Sequence, residues 1–209
     1  MNILISAGPT REYIDDVRFL SNASSGLMGY EIARIAHKRG HKVTLVTGPT
    51  HLTPPPVTVV PVESANEMRE AMLARMEEAD VVIMAAAVSD YRPAKRIRGK
   101  AKKGARTVVL RLVLNPDIVA ELAERRQGQL IVGFAVESDN LLDNARKKLI
   151  DKHLDLIVAN PVASIGAART TLFVLDREGV VATVKDRPKR LAAARILNVV
   201  ESAAANRHS

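Results

Sequence analysis

Two hydrophobic rhythms alternate along the chain. Short runs rich in Val, Ile and Leu have the length and β-branched content of strands: "NILIS" from Asn2, "KVTLVT" from Lys42, "VTVVPV" from Val57, "DVVIMAAAV" from Asp80, "TVVLRLVL" from Thr107, "QLIVGFAV" from Gln129 and "LDLIVAN" from Leu154. Between them the apolar residues recur at helical spacing, as where Ile32, Ile35 and Ala36 share one face. In "SANEMREAMLARMEEA", Ser64 followed three residues later by Glu67 predicts a capped helix start. In "NPDIVAELAERR" the pattern predicts a helix with Asn115 as cap, Pro116 at its first position and Asp117 in its first turn. "DNLLDNARKKLIDKH" predicts another helix. "TLFVLD" and "VVATVK" predict two strands flanking a turn at Glu178-Gly179, and a last helix runs from about Arg187.

Strands alternating with helices imply an α/β fold: a doubly wound, mostly parallel Rossmann-like sheet, here with a basic flap and a short additional β-hairpin. No boundary or repeat interrupts the pattern, so residues 1–209 read as a single domain. In such folds ligands bind outside the carboxyl ends of the strands. That rule singles out Gly8 to Thr10, Ala85 to Tyr91, Phe134 to Asp139 and Ala159 to Pro161.

A hydrophobic content of 47% is enough to fill a core at this length. The longest strongly apolar run, "VVIMAAAV", is far below the roughly 20 residues of a membrane helix, and the first residues lack the pattern of a secretory leader. A cytoplasmic protein with no membrane partner is expected. The absence of cysteine removes thiolate metal sites and a thiol nucleophile. The net charge of +8 would by itself suggest nucleic acid. However, eight basic residues and no acid lie between Arg92 and Arg106, and the rest of the chain is balanced. One concentrated cationic loop suits a small polyanion better than an extended nucleic-acid backbone, and 3% aromatic content offers few stacking platforms.

The segment from Ala7 to Ser25 is long for a connection between a first strand and its helix, where about 2 to 6 residues is usual. Its end, "SNASSG", places Ser24, Ser25 and Gly26 at a helix N-terminus, where free N–H groups favour an anion. The same residues could serve only as a cap, with Asn22 in a turn. Neither GxGxxG nor GxxxxGK[ST] occurs. "AAAVSDY" brings small residues and then Asp90, which can accept from a hydroxyl or from metal-bound water or can simply form a turn. Tyr91 to Lys95 spells YxxxK, but Pro93 opposes the helix that would bring the pair together. "GKAKKG" has the composition of a mobile phosphate-closing flap, or of a solvated surface. Lys148 and Lys152 lie one turn apart on a helix face. The five histidines have no metal-ligand spacing.

Taken in order, "ISAGPTRE", "VRFLSNASSGLMG", "AAAVSDYRP", "GKAKK", "LNPDIV", "VGFAVES" and "LDLIVAN" resemble the phosphopantothenoylcysteine synthetase family of coenzyme A biosynthesis, in its free-standing bacterial form without the decarboxylase domain. The resemblance implies a ligase joining 4'-phosphopantothenate to L-cysteine. The substrate carboxylate attacks the α-phosphate of CTP, or ATP in some relatives, giving an acyl-cytidylate and pyrophosphate, and the cysteine amine then displaces CMP. It further implies Mg2+ with ligands unknown, no flavin, a homodimer with an interface near Thr107 to Leu112, and a separate phosphopantothenoylcysteine decarboxylase as a candidate partner. Carried over residue by residue, Asn22 and Lys100 are catalytic. Asp90, Lys100, Asn115, Pro116, Asp117, Ile118, Phe134, Lys148 and Lys152 bind nucleotide. Asn22, Ser24, Ser25 and Gly26 hold substrate and intermediate.

The chain departs from the family at Ala101, where a β-branched residue is usual, and in "ASIGAART", which is shorter than the usual Gly- and Asp-rich loop. The chemistry agrees with the resemblance, since attack of one anion on another requires neutralised charge and orientation rather than a histidine base. Two alternatives remain: a nicotinamide-dependent oxidoreductase, opposed by the missing GxGxxG, and a non-enzymatic nucleotide- or nucleic-acid-binding module, opposed by the confinement of excess charge to one loop.

Overall fold

The computed structural model describes residues 1–102, 104 and 107–207; Lys103 and Arg106 of the basic segment and His208 lie outside the described residues. The elements in chain order are β1 (Asn2–Ala7), β2 (Arg11–Tyr13), β3 (Phe19–Ser21), α1 (Leu27–Lys38), β4 (Lys42–Thr47), β5 (Thr58–Pro61), α2 (Ala65–Leu73), β6 (Val81–Met84), β7 (Tyr91–Pro93), β8 (Leu112–Leu114), α3 (Ile118–Arg125), β9 (Leu130–Glu137), α4 (Leu141–Asp151), β10 (Leu156–Pro161), β11 (Arg169–Leu175), β12 (Val180–Pro188) and α5 (Lys189–Arg207). Eight strands form one sheet in the order β12-β11-β10-β9-β6-β1-β4-β5. The six from β10 to β5 are parallel. The last two, β11 and β12, pair antiparallel at one edge. This is the Rossmann-like α/β sheet that the alternation predicts.

Period-two alternation distributes the strand side chains between two cores. Ile3, Ile5, Val81 and Ile83 face α1 and α5, whose Ile32, Ala36, Ile196 and Val200 cover them. Leu4, Val82 and Ile131 face the opposite layer, built by Met68 and Met72 of α2, Leu122 of α3 and Leu149 of α4. A parallel sheet buried on both faces has strands apolar throughout, and that is how β1 and β6 read. From β1 the chain winds to β4 and β5, then returns to β6 and winds outward through β9 and β10. The reversal falls between β1 and β6 and opens a crevice at their carboxyl ends.

Several local expectations change. The segment after β1 holds a hairpin, β2 paired with β3, rather than a plain loop. The predicted helix from Ser64 ends at Leu73, followed by a single tight turn over Met76–Glu78. Its start is as expected: Ser64 Oγ accepts from the Glu67 N–H. The cap of α3 is Asp117, which accepts from the Ala120 N–H, and not Asn115. Asn115 is drawn away by tertiary partners described below. The strand after Asp80 ends at Met84, and the last helix starts at Lys189 because β12 continues to Pro188. Of the run from Thr107, Leu112–Leu114 forms a strand, paired with β7 outside the main sheet. Val108 and Val109, 82% and 92% exposed, have no core to enter. No helix among the described residues is long and apolar enough to cross a membrane.

α1 sits directly on β1 at the edge of the crevice. A Cβ on Gly29 would lie 2.6 Å from the Ala7 Cβ. Alanine would gain about 1 kcal/mol of helix propensity at that position, but overpacking of this kind costs roughly 1–3 kcal/mol. Gly29→Ala is therefore expected to lower stability by about 1 kcal/mol, the overlap outweighing the propensity. A urea midpoint that rises in this variant would show that the helix approaches β1 less closely.

Candidate active site

The floor of the crevice is made by the segments that follow β1 and β6. The Ala87 N–H donates to Gly8 O (2.9 Å) and the Thr10 N–H to Ala87 O (3.2 Å). The buried Thr10 hydroxyl accepts from the Ser89 N–H at 3.0 Å. Behind this pairing the backbone of Gly48 presses on Pro9, where a Cβ would lie 1.9 Å from the carbonyl oxygen. The three small residues after β6, Ala85 to Ala87, leave the crevice open above the floor.

Two adjoining cavities occupy the crevice and share Ala86, Val88, Asp90, Phe134 and Lys148 as a common wall. The first, about 580 Å³, is lined among others by Asn115, Pro116, Asp117, Ile118 and Lys152. The second, about 430 Å³, is lined by Asn22, Ser24, Ser25, Gly26 and, on the far side, Ser164, Thr170 and Lys189. The structure thus gathers every residue the sequence proposed except Lys100. Asn115, Pro116, Asp117, Ile118 and Lys152 line only the first cavity, Asn22, Ser24, Ser25 and Gly26 only the second, and Asp90, Phe134 and Lys148 both.

In the first cavity most of the polar side chains have partners that fix them. Asn115 Nδ2 donates to Ser89 O at 2.7 Å, and its Oδ1 accepts from Arg92 Nη1 at 2.9 Å. These bonds sew the "NPDI" turn to the segment after β6, which explains why Asn115 does not cap α3. Asp117 Oδ2 meets Lys152 Nζ at 2.8 Å across the cavity, and Lys148 Nζ meets Glu137 Oε1 at 2.5 Å. Asp90 has an exposed carboxylate with no side-chain partner among the described residues. Phe134 packs half-buried against the core below. Both lysines are thus already matched by carboxylates, and a triphosphate entering here needs further positive charge.

In the second cavity α1 begins at Gly26, in the left-handed conformation with φ 77°, and no side chain caps the helix. Ser24 and Ser25 hydroxyls accept from the Gly26 and Leu27 N–H groups at 3.3 and 3.4 Å, so they order the turn before the helix. Asn22 is not a turn residue of this kind. Its Nδ2 donates to Ala87 O at 2.9 Å, bridging the two sides of the crevice. One amide hydrogen and the Oδ1 remain available.

Lys100 lines neither cavity and stands exposed in the basic segment. The root of that segment is docked on the β2-β3 hairpin. The Ile97 N–H donates to Ile14 O at 2.9 Å, the Gly99 N–H to Asp16 Oδ2 at 2.7 Å and the Ala101 N–H to Asp15 Oδ2 at 3.1 Å. Arg18 Nη2 donates to Ala101 O at 3.0 Å. Arg96 pairs with Asp16 and lies over the Tyr13 ring, which packs edge-on against Phe19. Asp15 is the centre of this arrangement. Its fully buried carboxylate is held well below the usual range, first by the Arg18 guanidinium and then by the Val17 N–H, with the Arg18 and Ala101 N–H groups adding to the effect and burial opposing it.

Sequence reasoning missed this hairpin, and it missed Ser164, Thr170 and Lys189. The signal for the hairpin was available in the hydrophobic alternation of "REY" and "FLS" around the acidic turn. Nothing local marks Lys189, which is one of many lysines near a helix start. Among the described residues no cluster of three His, Asp or Glu side chains is placed to enclose a metal ion.

The arrangement defines a class: a mostly parallel α/β protein with a two-part crevice at its topological switch point. The chain matches the family described as DNA/pantothenate metabolism flavoprotein C-terminal domain over residues 1–203 and belongs to it. It is 44% identical over 191 residues to the coenzyme A biosynthesis bifunctional protein CoaBC of Bacillus subtilis (strain 168), covering 90% of this chain and 46% of that protein. It therefore spans less than half the length of that relative. The crystal structure of the C-terminal domain of a CoaBC superposes with a TM-score of 0.83 at 42% identity, covering 96% of this chain and 94% of the other. A Cab2 mutant in complex with phosphopantothenate-cysteine shares the fold, with a TM-score of 0.82 at 17% identity over 100% of this chain and 89% of that one.

Replacing Asp15 by Asn keeps an acceptor for the turn but removes the charge that holds Arg18. The root of the basic segment should loosen, and limited trypsinolysis should cut after Arg98, Lys100 or Lys102 several-fold faster than in the parent. Because the Asp15 carboxyl is depressed in the folded state, its stabilisation is complete above the ordinary carboxyl pKa of about 4 and is lost as pH falls below it. Unchanged cleavage rates at neutral pH would show that Asp15 does not anchor the segment.

Proposed function

We propose that residues 1–209 act as one phosphopantothenoylcysteine synthetase domain, joining 4'-phosphopantothenate to L-cysteine through an acyl-cytidylate and releasing CMP and pyrophosphate. The observation that carries this reading is the pair of cavities meeting at Asp90, Phe134 and Lys148. Two reactants held on either side of a common wall are presented to each other there, which is what a two-step acyl transfer requires. Family membership and the complex of the Cab2 neighbour with phosphopantothenate-cysteine support the same substrate class.

In this reading the triphosphate lies along the first cavity between the "NPDI" turn at the start of α3 and the end of α4. Lys148 and Lys152 exchange Glu137 and Asp117 for phosphate oxygens. The charge they cannot supply comes from Lys100, brought over the cavity by closure of the basic segment, and from Mg2+, which neutralises phosphate when bound. Asp90, unpaired at the shared wall, fits a role in accepting from a metal-bound water or a ribose hydroxyl. The substrate carboxylate then faces a neutralised α-phosphate. Asn22, fixed by Ala87 O, has a second amide hydrogen to donate to the acyl oxygen when the cysteine amine attacks, while the uncapped start of α1 favours the anionic intermediate. The reaction is cytoplasmic, with a phosphopantothenoylcysteine decarboxylase to receive the product. The exposed Val108, Val109, Leu112 and Leu114 suit the interface of a homodimer.

The direct test is release of pyrophosphate from CTP or ATP, with phosphopantothenate and cysteine each present or omitted. CTP-dependent pyrophosphate and CMP are expected; release of orthophosphate and CDP would exclude an acyl-cytidylate. Lys100→Gln should slow single-turnover formation of the intermediate by about 10²-fold or more, whereas Lys95→Gln should matter much less. Equal rates in the two variants would remove Lys100 from the reaction.

Asn22→Asp separates the two steps. The new carboxylate cannot donate to the developing oxyanion, a loss of about 10²- to 10³-fold. It also opposes Ala87 O, so the overall rate falls whatever the role of Asn22. The informative quantity is therefore the partition between steps. Rapid quench with a cysteine chase should show phosphopantothenoyl-CMP accumulating, and an equal loss in both half-reactions would leave Asn22 with an architectural role.

A further inference from the structure

The side chain of Asn115 has two possible uses, and the fold takes the one that its sequence does not favour. An Asn followed by Pro and Asp has the pattern of a helix cap with proline at the first helical position. In the structure α3 starts two residues later, with Asp117 as its cap. Asn115 is turned instead towards the segment after β6. Its N–H donates to Asp90 O at 2.8 Å, its Nδ2 donates to Ser89 O at 2.7 Å, and its Oδ1 accepts from Arg92 Nη1 at 2.9 Å. Of these three bonds only the one to Arg92 involves a charged group, and charge-assisted hydrogen bonds are the stronger kind.

Arg92 is the central residue of β7, opposite Val113 of β8, and the same Nη1 also donates to Leu114 O at 2.7 Å. One guanidinium nitrogen thus grips the last residue of β8 and the first residue of the turn together. Among the described residues no carboxylate pairs with Arg92, so these two oxygens are what hold it. Arg92 lines neither cavity, whereas Asn115 to Ile118 all line the first. An effect of Arg92 on that cavity therefore passes through the turn.

The alternative state would reshape the cavity wall. Asp117 now has Oδ1 on the Ala120 N–H and Oδ2 on Lys152 Nζ. If Asn115 capped the helix, Pro116 and Asp117 would join α3, and Asp117 would lose the cap geometry from which it meets Lys152. The same residue also bears on the basic segment, residues 94–111, which leaves from β7 and returns through β8. Arg92 joins the two strands at their ends, so the turn and the base of that segment share one frame.

We infer that Arg92 is a positioning residue for the nucleotide: it holds the side chain of Asn115 away from the start of α3, and so selects the form of the "NPDI" turn in which Asp117 is the cap. The nucleotide rests on the function proposed above; selection of the turn does not.

The test uses Arg92→Met, which keeps most of the stem, and Arg92→Lys, which keeps a charged donor. Arg92 belongs to neither apolar core, so both variants should fold. Hydrogen exchange reads the turn with no nucleotide present. In the Met variant the Asn115 N–H should exchange about 10-fold faster than in the parent, as for loss of a charge-assisted hydrogen bond, while amides of β1 and α1 keep their rates. Lys should restore most of the protection. In turnover, KM for CTP should rise about 10-fold in the Met variant, and KM for 4'-phosphopantothenate should move little. Asn115→Ala separates action through the turn from direct contact with phosphate. Adding Arg92→Met to Asn115→Ala should raise KM for CTP by no more than about 2-fold further, because the two residues act as one unit. Losses that multiply in the double variant would place Arg92 on the nucleotide itself and overturn the positioning role. Unchanged exchange at Asn115, or an unchanged KM for CTP, would overturn it as well. Faster exchange at Asn115 in a protein that turns over neither CTP nor ATP would support selection of the turn and overturn the function on which the nucleotide rests.

Discussion

The structure depends on how closely three backbone segments approach at the carboxyl edge of the sheet. The segments after β1, β4 and β6 meet at Gly8, Gly48 and Ala87, with Gly48 so near Pro9 that no side chain fits between them. This contact closes the bottom of the crevice while keeping its walls thin. Without it the loops would fill the switch point with their own side chains, and the uncapped end of α1 would open onto protein rather than onto a cavity. The same junction positions Asn22, whose amide reaches Ala87 across the floor, and Asp90, three residues beyond Ala87 on the shared wall.

A second constraint is electrostatic. Of the three lysines that line the crevice, Lys189 alone has no carboxylate partner among the described residues. Lys148 and Lys152 are neutralised by Glu137 and Asp117. Paired lysines keep the empty site stable, since buried or half-buried charges are held cheaply only with partners. They also make anion binding an exchange of partners.

The hairpin joins these two features. Asp15 and Asp16 grip the backbone at Gly99 and Ala101 and so fix where the basic segment leaves the body of the protein. At its far end the Ala94 N–H donates to Arg111 O. Among the described residues Lys95, Arg98, Lys100 and Lys102 have no carboxylate partner, which leaves those charges available to an anion. A segment anchored at its root with free charges beyond can close over a ligand without reorganising the sheet.

Much of this was legible in the residues alone. Alternation of period two and period 3.6 determined the strands, the helices and the parallel class, because each pattern has one favourable way to bury its apolar face. The ordered motifs determined the family, and all the candidate residues they supplied except Lys100 line the crevice, because those loops follow strand ends. What tertiary structure decided was everything that depends on a distant partner. Asn115 reads locally as a helix cap, yet Ser89 and Arg92 take its side chain and the cap passes to Asp117. The apolar run from Thr107 reads as a strand of the sheet, yet with β7 as partner only three of its residues pair. Lys189 is separated from Ser24 by most of the chain, and its burial beside the same cavity is a property that no local pattern of residues contains.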